Sequence, residues 1–377
     1  MHKIRKTIVG HSLAVFALIA HAETGVSDTE IKIGMVNAQS GPASGLGLGM
    51  KAGAEAVFAE VNAKGGVNGR KIVLSVGDDG YEPNRTVDET LKMIEQGQVF
   101  SLFGYVGTPT SNAALPIVSE MHVPLVGLFT GAGTLRKPVT SEVFNVRASY
   151  GDETEALVAQ FLAKGAKSVA VFYQDDGFGT AVLAGTEAAL GRRNMKVVAK
   201  GTFQRNTTAI QSGLAAMLEA KPDAVVMVGP YTPLALFIKE ARKAGLKSQL
   251  ATVSFVGTDN LVGQVGKDGD GVLISQVVPF PDDASVPLTQ SCRDLMAKQN
   301  VKLGYVNFEG CVTAKVLVAA MDKAGKDLTR AALIDALHGM KNLDLGGLTV
   351  SFSADNHQAS NQVFLTQIQD GRITKLK

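Results

Sequence analysis

Residues 31–69 read IKIGMVNAQSGPASGLGLGMKAGAEAVFAEVNAKGGVNG, and this stretch decides the fold class. Ile31, Ile33 and Met35 alternate with other residues, as in a strand with one buried face. A loop of small residues, Ser40-Gly41-Pro42, follows. An amphipathic helix comes next and stops at Asn62-Ala63-Lys64-Gly65-Gly66. Strand, open loop, helix and glycine stop form the first half of an α/β unit. The loop lies at the carboxyl end of its strand, where open α/β sheets hold ligands.

The same alternation continues along the chain and predicts parallel sheets with helices on both faces. Strands are expected at 71–78, 99–105, 123–129, 169–173, 195–199, 224–228 and 250–256. Helical spacing links Val87, Leu91 and Ile94, then Ile210, Leu214, Met217 and Leu218, then Leu234, Phe237, Ile238 and Ala241. The strands fall into two sets, read as two doubly wound lobes with no low-complexity linker and no visible sequence repeat. The Pro279-Phe280-Pro281-Asp282-Asp283 run interrupts the second set, and helices at 288–299 and 308–324 then cover the first lobe.

Residues 1–22 read as an export leader. Lys3, Arg5 and Lys6 precede an apolar core from Ile8 to Ala20, and Ala20-His21-Ala22 fits small-x-small cleavage. The core is short for a membrane span, and no other long apolar run exists. The remaining chain is too long for one ordinary core and suits two lobes. The full sequence has a formal net charge of +2, which includes the leader's Lys3, Arg5 and Lys6, so the rest is near neutral and nucleic acid is not an expected partner. Cys292 and Cys311 fall in neighbouring predicted helices; a disulfide and two buried thiols are both compatible with that spacing.

Catalytic signatures are lacking. Gly47-Leu48-Gly49-Met50-Lys51-Ala52 matches a dinucleotide fingerprint, but the loop before it is too long for a tight phosphate turn. A glycine-rich helix start packed on a sheet accounts for it. No nucleophile elbow, zinc-protease helix or phosphate loop occurs, and the six histidines are scattered. No enzyme activity, cofactor or metal is expected. The stronger constellation is Thr108-Pro109-Thr110-Ser111, read as an N-cap threonine with proline at the first helical position. The free N–H groups and dipole of such a helix start favour a carboxylate. A second hydroxyl-bearing loop, Thr130 to Thr134, follows the next strand and would reach the same sheet edge.

The block Ser40-Gly41-Pro42, the helix, then Asn62-Ala63-Lys64-Gly65-Gly66-Val67-Asn68-Gly69 resembles the opening of the branched-chain amino-acid-binding proteins of ATP-binding-cassette importers. The resemblance runs over nearly the whole chain beyond the leader and weakens after Lys341. It implies a type I periplasmic binding protein, an α/β fold of two doubly wound parallel-sheet lobes joined by three crossover strands. Candidate hinges are Arg147, Pro279 and Phe352. Residues 23–147 with 280–352 form lobe 1 in this reading, and 148–279 with 353–377 form lobe 2. The implied role is capture of a small carboxylate-bearing ligand in the periplasm by lobe closure and delivery to an inner-membrane permease, as a monomer. A branched-chain or related amino acid is the implied ligand. An aromatic carboxylate or amide, or a ligand-sensing receptor role, stays open.

The resemblance also implies a site. Thr108 matches the hydroxyl residue that binds the ligand α-carboxylate, and Thr130 and Ala132 match the second loop of that grip. The family's usual threonine falls at Ala132, so a hydroxyl is missing there or comes from Thr130 or Thr134. Tyr231 matches a tyrosine reaching in from the second lobe, and Phe178 replaces another. Leu46 stands where an aromatic is common. Ser254 stands where a glutamate usually pairs with the ligand ammonium. Asp152, Glu153 and Asp175 are candidate replacements; otherwise the ligand carries no ammonium. Arg147 and Tyr150 lie at the first expected hinge, where Arg147 either holds a second ligand acid or forms a hinge ion pair. The family's first-lobe disulfide has no counterpart here.

Overall fold

The computed structural model describes residues 23–376; the expected leader lies outside them. Lobe 1 opens with β1 (Glu30–Asn37), α1 (Ser44–Ala63), β2 (Lys71–Asp78), α2 (Pro83–Leu91), β3 (Ser101–Phe103), α3 (Thr108–Glu120), β4 (Leu125–Val126) and β5 (Val143–Phe144). Its sheet is parallel in the order β2-β1-β3-β4-β5. β1 lies between β2 and β3 with Ile31, Ile33 and Met35 all buried, so the alternating residues of the opening stretch fill a core. The helix expected at 84–96 is α2 followed by a π-turn at Lys92–Gln96.

The chain crosses to lobe 2 with α4 (Tyr150–Ala163), β6 (Val169–Gln174), α5 (Gly177–Gly191), β7 (Val197–Phe203), α6 (Gln211–Ala220), β8 (Ala224–Val228), α7 (Tyr231–Lys243), β9 (Gln249–Thr252), α8 (Thr258–Val265) and β10 (Leu273–Gln276). Its parallel strands run β7-β6-β8-β9-β10, the same winding as lobe 1. The strand expected through Val256 ends at Thr252, and Ser254–Val256 form a 3-10 turn.

The chain then returns to cover lobe 1 with α9 (Pro287–Lys298), α10 (Tyr305–Ala324) and α11 (Arg330–His338), followed by the small ribbon β11 (Leu343–Asp344) and β12 (Thr349–Val350). Phe352 and Ala359 still pack in the lobe 1 core, and Ala359 N–H donates to Asn145 O at 2.8 Å. The last passage therefore falls beyond Ala359, later than Phe352. It leads to the hairpin β13 (Phe364–Gln369) and β14 (Arg372–Lys375), which extends the lobe 2 sheet antiparallel to β10. Cys292 of α9 and Cys311 of α10 form a disulfide.

The glycine-rich helix start is a packing device. A Cβ on Gly47 would lie 1.9 Å from the Ala38 carbonyl oxygen, and one on Gly53 would lie 2.0 Å from the Asn307 carbonyl oxygen. α1 thus presses against the sheet edge at one glycine and against α10 at the other. Among the described residues, no helix is long and apolar enough to cross a membrane.

Candidate functional site

The two sheets turn their carboxyl edges toward each other, so loops after parallel strands meet across a cleft. β3 and β4 are neighbours, and Val106 pairs with Phe129 just beyond them. This pairing brings two loops together: Thr108 Oγ1 and Thr130 Oγ1 lie 2.7 Å apart. Thr130 Oγ1 donates to the Tyr150 hydroxyl at 3.3 Å, and Ala132 N–H donates to Thr130 Oγ1 at 3.4 Å. Thr108, Thr130, Ala132 and Tyr150 are all buried. Thr108 is not the N-cap of α3. Gly107, with φ 102°, takes that position, which leaves the Thr108 hydroxyl free to meet Thr130. Ser111, one turn along, has a buried Oγ with no hydrogen-bond partner. Thr134 is exposed and donates to Asn112 instead, so the second-loop hydroxyl at this cluster is that of Thr130.

Rings from both lobes meet beside this cluster. Phe255, on the 3-10 turn of lobe 2, lies 5.5 Å from Phe129, 6.0 Å from Tyr81 and 4.4 Å from Phe178, centroid to centroid. Phe178 is 5.3 Å from Tyr150. Tyr231 and Leu46 converge some way along the cleft: both approach Gly257, and Gly45 N–H donates to the Tyr231 hydroxyl at 3.0 Å. Further bonds hold the lobes closed. Arg205 donates to Glu82 at 3.0 Å, Asn206 Nδ2 to Glu82 at 2.6 Å and Tyr305 N–H to Asp259 at 2.7 Å. Ser40 is exposed and donates to Asp78 at 2.6 Å, which ties the small-residue loop after β1 to the end of β2.

Arg147 lies fully within this joint. Its Nη2 donates to Glu153 Oε1 at 3.1 Å and to the Ser254 hydroxyl, and its Nη1 lies 3.3 Å from Glu309 Oε1. The guanidinium stands 5.0 Å from the Phe129 ring centroid. Burial works against its charge, but Glu309 and Glu153 outweigh burial and raise its pKa. Of the three acids proposed to replace the family glutamate, only Glu153 is buried here. Asp152 closes a capping box with Ser149, and Asp175 is exposed. Glu153 already accepts from Arg147, from Ser254 N–H at 2.8 Å and from the Ser275 hydroxyl at 2.7 Å. The hinge-pair reading of Arg147 describes this arrangement.

Tyr81, Phe255 and Glu309 carry no local sequence signal that would have put them in the site. Burial raises the Glu309 pKa to about 7; Arg147 opposes the rise, nearby Glu153 adds to it, and Arg136 opposes it weakly. Between the ordinary carboxyl value and about 7 the native state therefore holds a proton that the unfolded state has lost. That contribution to stability is full at low pH and is lost as pH rises through about 7. Glu309→Gln should flatten the fall in thermal midpoint between pH 5 and 8, roughly the interval this linkage covers. An unchanged slope would show that Glu309 does not titrate there.

A model of the periplasmic binding protein family matches residues 30–372. A Leu/Ile/Val-binding protein homolog from Brucella suis is 27% identical over 96% of this chain and 94% of its own length. A solved structure of a possible leucine/isoleucine/valine-binding protein from Rhodopirellula baltica is 34% identical, with TM-score 0.89 over 95% of this chain and 98% of that one. A branched-chain amino-acid transporter protein from Thermus thermophilus, with bound valine, shares the fold at TM-score 0.84 and 18% identity over 93% and 96% of the two chains. The family is one of substrate-binding proteins, not enzymes, and its two-lobed fold is the one observed here. The chain belongs to the periplasmic binding protein family, within the group of Leu/Ile/Val-binding proteins.

Proposed function

We propose that this chain is the solute-binding component of an ATP-binding-cassette importer, exported to the periplasm, where it captures a small carboxylate with an apolar body. The observation that carries the reading is the buried hydroxyl cluster of Thr108, Thr130 and Tyr150 beside the Ala132 N–H, set against a wall of rings from both lobes. The Thr108 hydroxyl at the start of α3, with the Thr130 hydroxyl and Ala132 N–H of the next loop, suits a carboxylate. Phe129, Phe178 and Phe255 suit an aliphatic or aromatic body. Ligand bound between the lobes favours the closed form to the extent of its preference for that form. The closed protein then docks as a monomer on a permease in the inner membrane.

The names of the relatives favour a branched-chain amino acid as the ligand. The three donors already on Glu153, with Arg147 beside it, favour a carboxylate without an ammonium. A buried ammonium whose nearest acids, Glu153 and Glu309, are both already held by Arg147 is costly.

Thr108→Val removes one hydroxyl and keeps the shape of the side chain. Loss of one hydrogen bond to a charged group weakens binding on the order of 10- to 100-fold. Calorimetric titration of the variant against the best ligand of a thermal-shift screen measures this, since a ligand at 100 times its Kd stabilises by roughly 2.7 kcal/mol. Wild-type affinity in the variant would remove the carboxylate from this cluster.

A further inference from the structure

Arg147 offers the cleft a hydrogen bond that nothing in the protein takes. Its two Nη atoms are engaged by Glu153, Ser254 and Glu309, but its Nε–H is buried and has no partner. The guanidinium sits 5.0 Å from the ring of Phe129, the residue just before Thr130, and 6.0 Å from the ring of Tyr150, whose hydroxyl joins the Thr130 cluster. The guanidinium that carries the unused donor therefore packs on the two rings that adjoin the carboxylate grip. A buried N–H left unpaired is unfavourable, which marks it as a place for an acceptor.

The neighbours restrict what that acceptor is. An ammonium brings only donors, would face the Arg147 charge, and finds Glu153 already accepting three hydrogen bonds. A second carboxylate would be the third carboxyl group around one guanidinium, after Glu153 and Glu309. A neutral oxygen meets neither objection. It accepts from Nε–H and leaves the contacts with both glutamates in place.

Resting on the carboxylate grip proposed above, we infer that the ligand is a 2-oxo or 2-hydroxy carboxylate with an apolar body. Its carboxylate lies at Thr108 and Thr130, its 2-oxygen accepts from Arg147 Nε, and its body lies against Phe178 and Phe255. Arg147 is then the residue that selects the group at the 2-position.

The test is calorimetric titration of the purified protein with two series that each keep one carbon skeleton. One series is 4-methyl-2-oxopentanoate, 2-hydroxy-4-methylpentanoate, 4-methylpentanoate and leucine. The other is phenylpyruvate, 3-phenyllactate, 3-phenylpropanoate and phenylalanine. In the series that binds, the oxo or hydroxy acid should bind about tenfold or more tightly than the unsubstituted acid, and the amino acid should be weakest. Arg147→Lys keeps a cation between the glutamates and removes Nε, so within the variant the oxo or hydroxy acid should bind no more tightly than the unsubstituted acid, whatever the altered tie between lobes does to both. Should Arg147→Lys fail to fold, the wild-type series decide by themselves. Equal binding of oxo and unsubstituted acids, or tightest binding of the amino acid, overturns the inference and leaves carboxylate capture standing. No binding in either series overturns carboxylate capture itself.

Discussion

Replacing Glu153 by alanine is expected to lower the unfolding free energy by about 3–5 kcal/mol, the range for removing one partner of a buried ion pair. Glu153 lies in the first turn of α4 and is completely buried. Its carboxylate takes the Arg147 guanidinium, the Ser254 N–H and the Ser275 hydroxyl. Alanine leaves two donors of lobe 2 without an acceptor and leaves Arg147 with Glu309 as its one remaining carboxylate. The loss is partly offset at Glu309, whose pKa Glu153 helps to raise, so the Glu309 carboxylate becomes easier to ionise beside Arg147. Urea denaturation of the variant measures the net effect. Because Arg147 links Glu153 and Ser254 of lobe 2 to Glu309 of lobe 1, the change also weakens the tie between lobes. A loss below about 1 kcal/mol would show that Glu309 alone satisfies Arg147, against the ordinary cost of a buried charge with too few partners.

How much of this was legible in the sequence depended on distance along the chain. The bounds of β2 and the extent of α1 follow from local periodicity and from the glycines at Gly65 and Gly66, where no packing decision from elsewhere is needed. The meeting of Thr108 with Thr130 follows from consecutive strands in one sheet, because adjacent strands carry their next loops to one edge. Phe255 was not legible. Val253 and Phe255 read as strand by composition, but the chain leaves the sheet after Thr252 and turns the ring into the cleft, where side chains from the other lobe complete its burial. Tyr81 holds a left-handed backbone, φ 62°, that an aromatic residue does not advertise. Glu309 reads as an ordinary helix residue until Arg147, far away in sequence, meets it. The matching order of the two sheets had no matching sequence, since many apolar residues satisfy the same pattern of buried strands. Elements set by local pattern were therefore readable, whereas contacts created by the closing of two lobes were not.

The joint substitution Cys292→Ser and Cys311→Ser is expected to cost about 3 kcal/mol and to lower the thermal midpoint by roughly 4 °C. The two cysteines are 19 residues apart, so the cross-link removes the freedom of a loop of that length from the unfolded chain. Both positions are fully buried, and two serines placed there bring hydroxyls into an apolar layer formed with Leu288, Met296 and Phe308. Joint substitution avoids leaving one reactive thiol. The bridge ties α9 to α10, the helices with which the chain returns to lobe 1 after building lobe 2. The Thr108–Thr130 cluster rests on β3, β4 and α3 instead. Stability and binding should therefore separate: the midpoint falls while ligand affinity stays within about twofold, since mutations far apart with no shared partners act nearly independently. A large loss of affinity would mean that α10 positions the site through Glu309, two residues from the bridge at Cys311, and its partner Arg147, and that the disulfide serves the site as well as the fold.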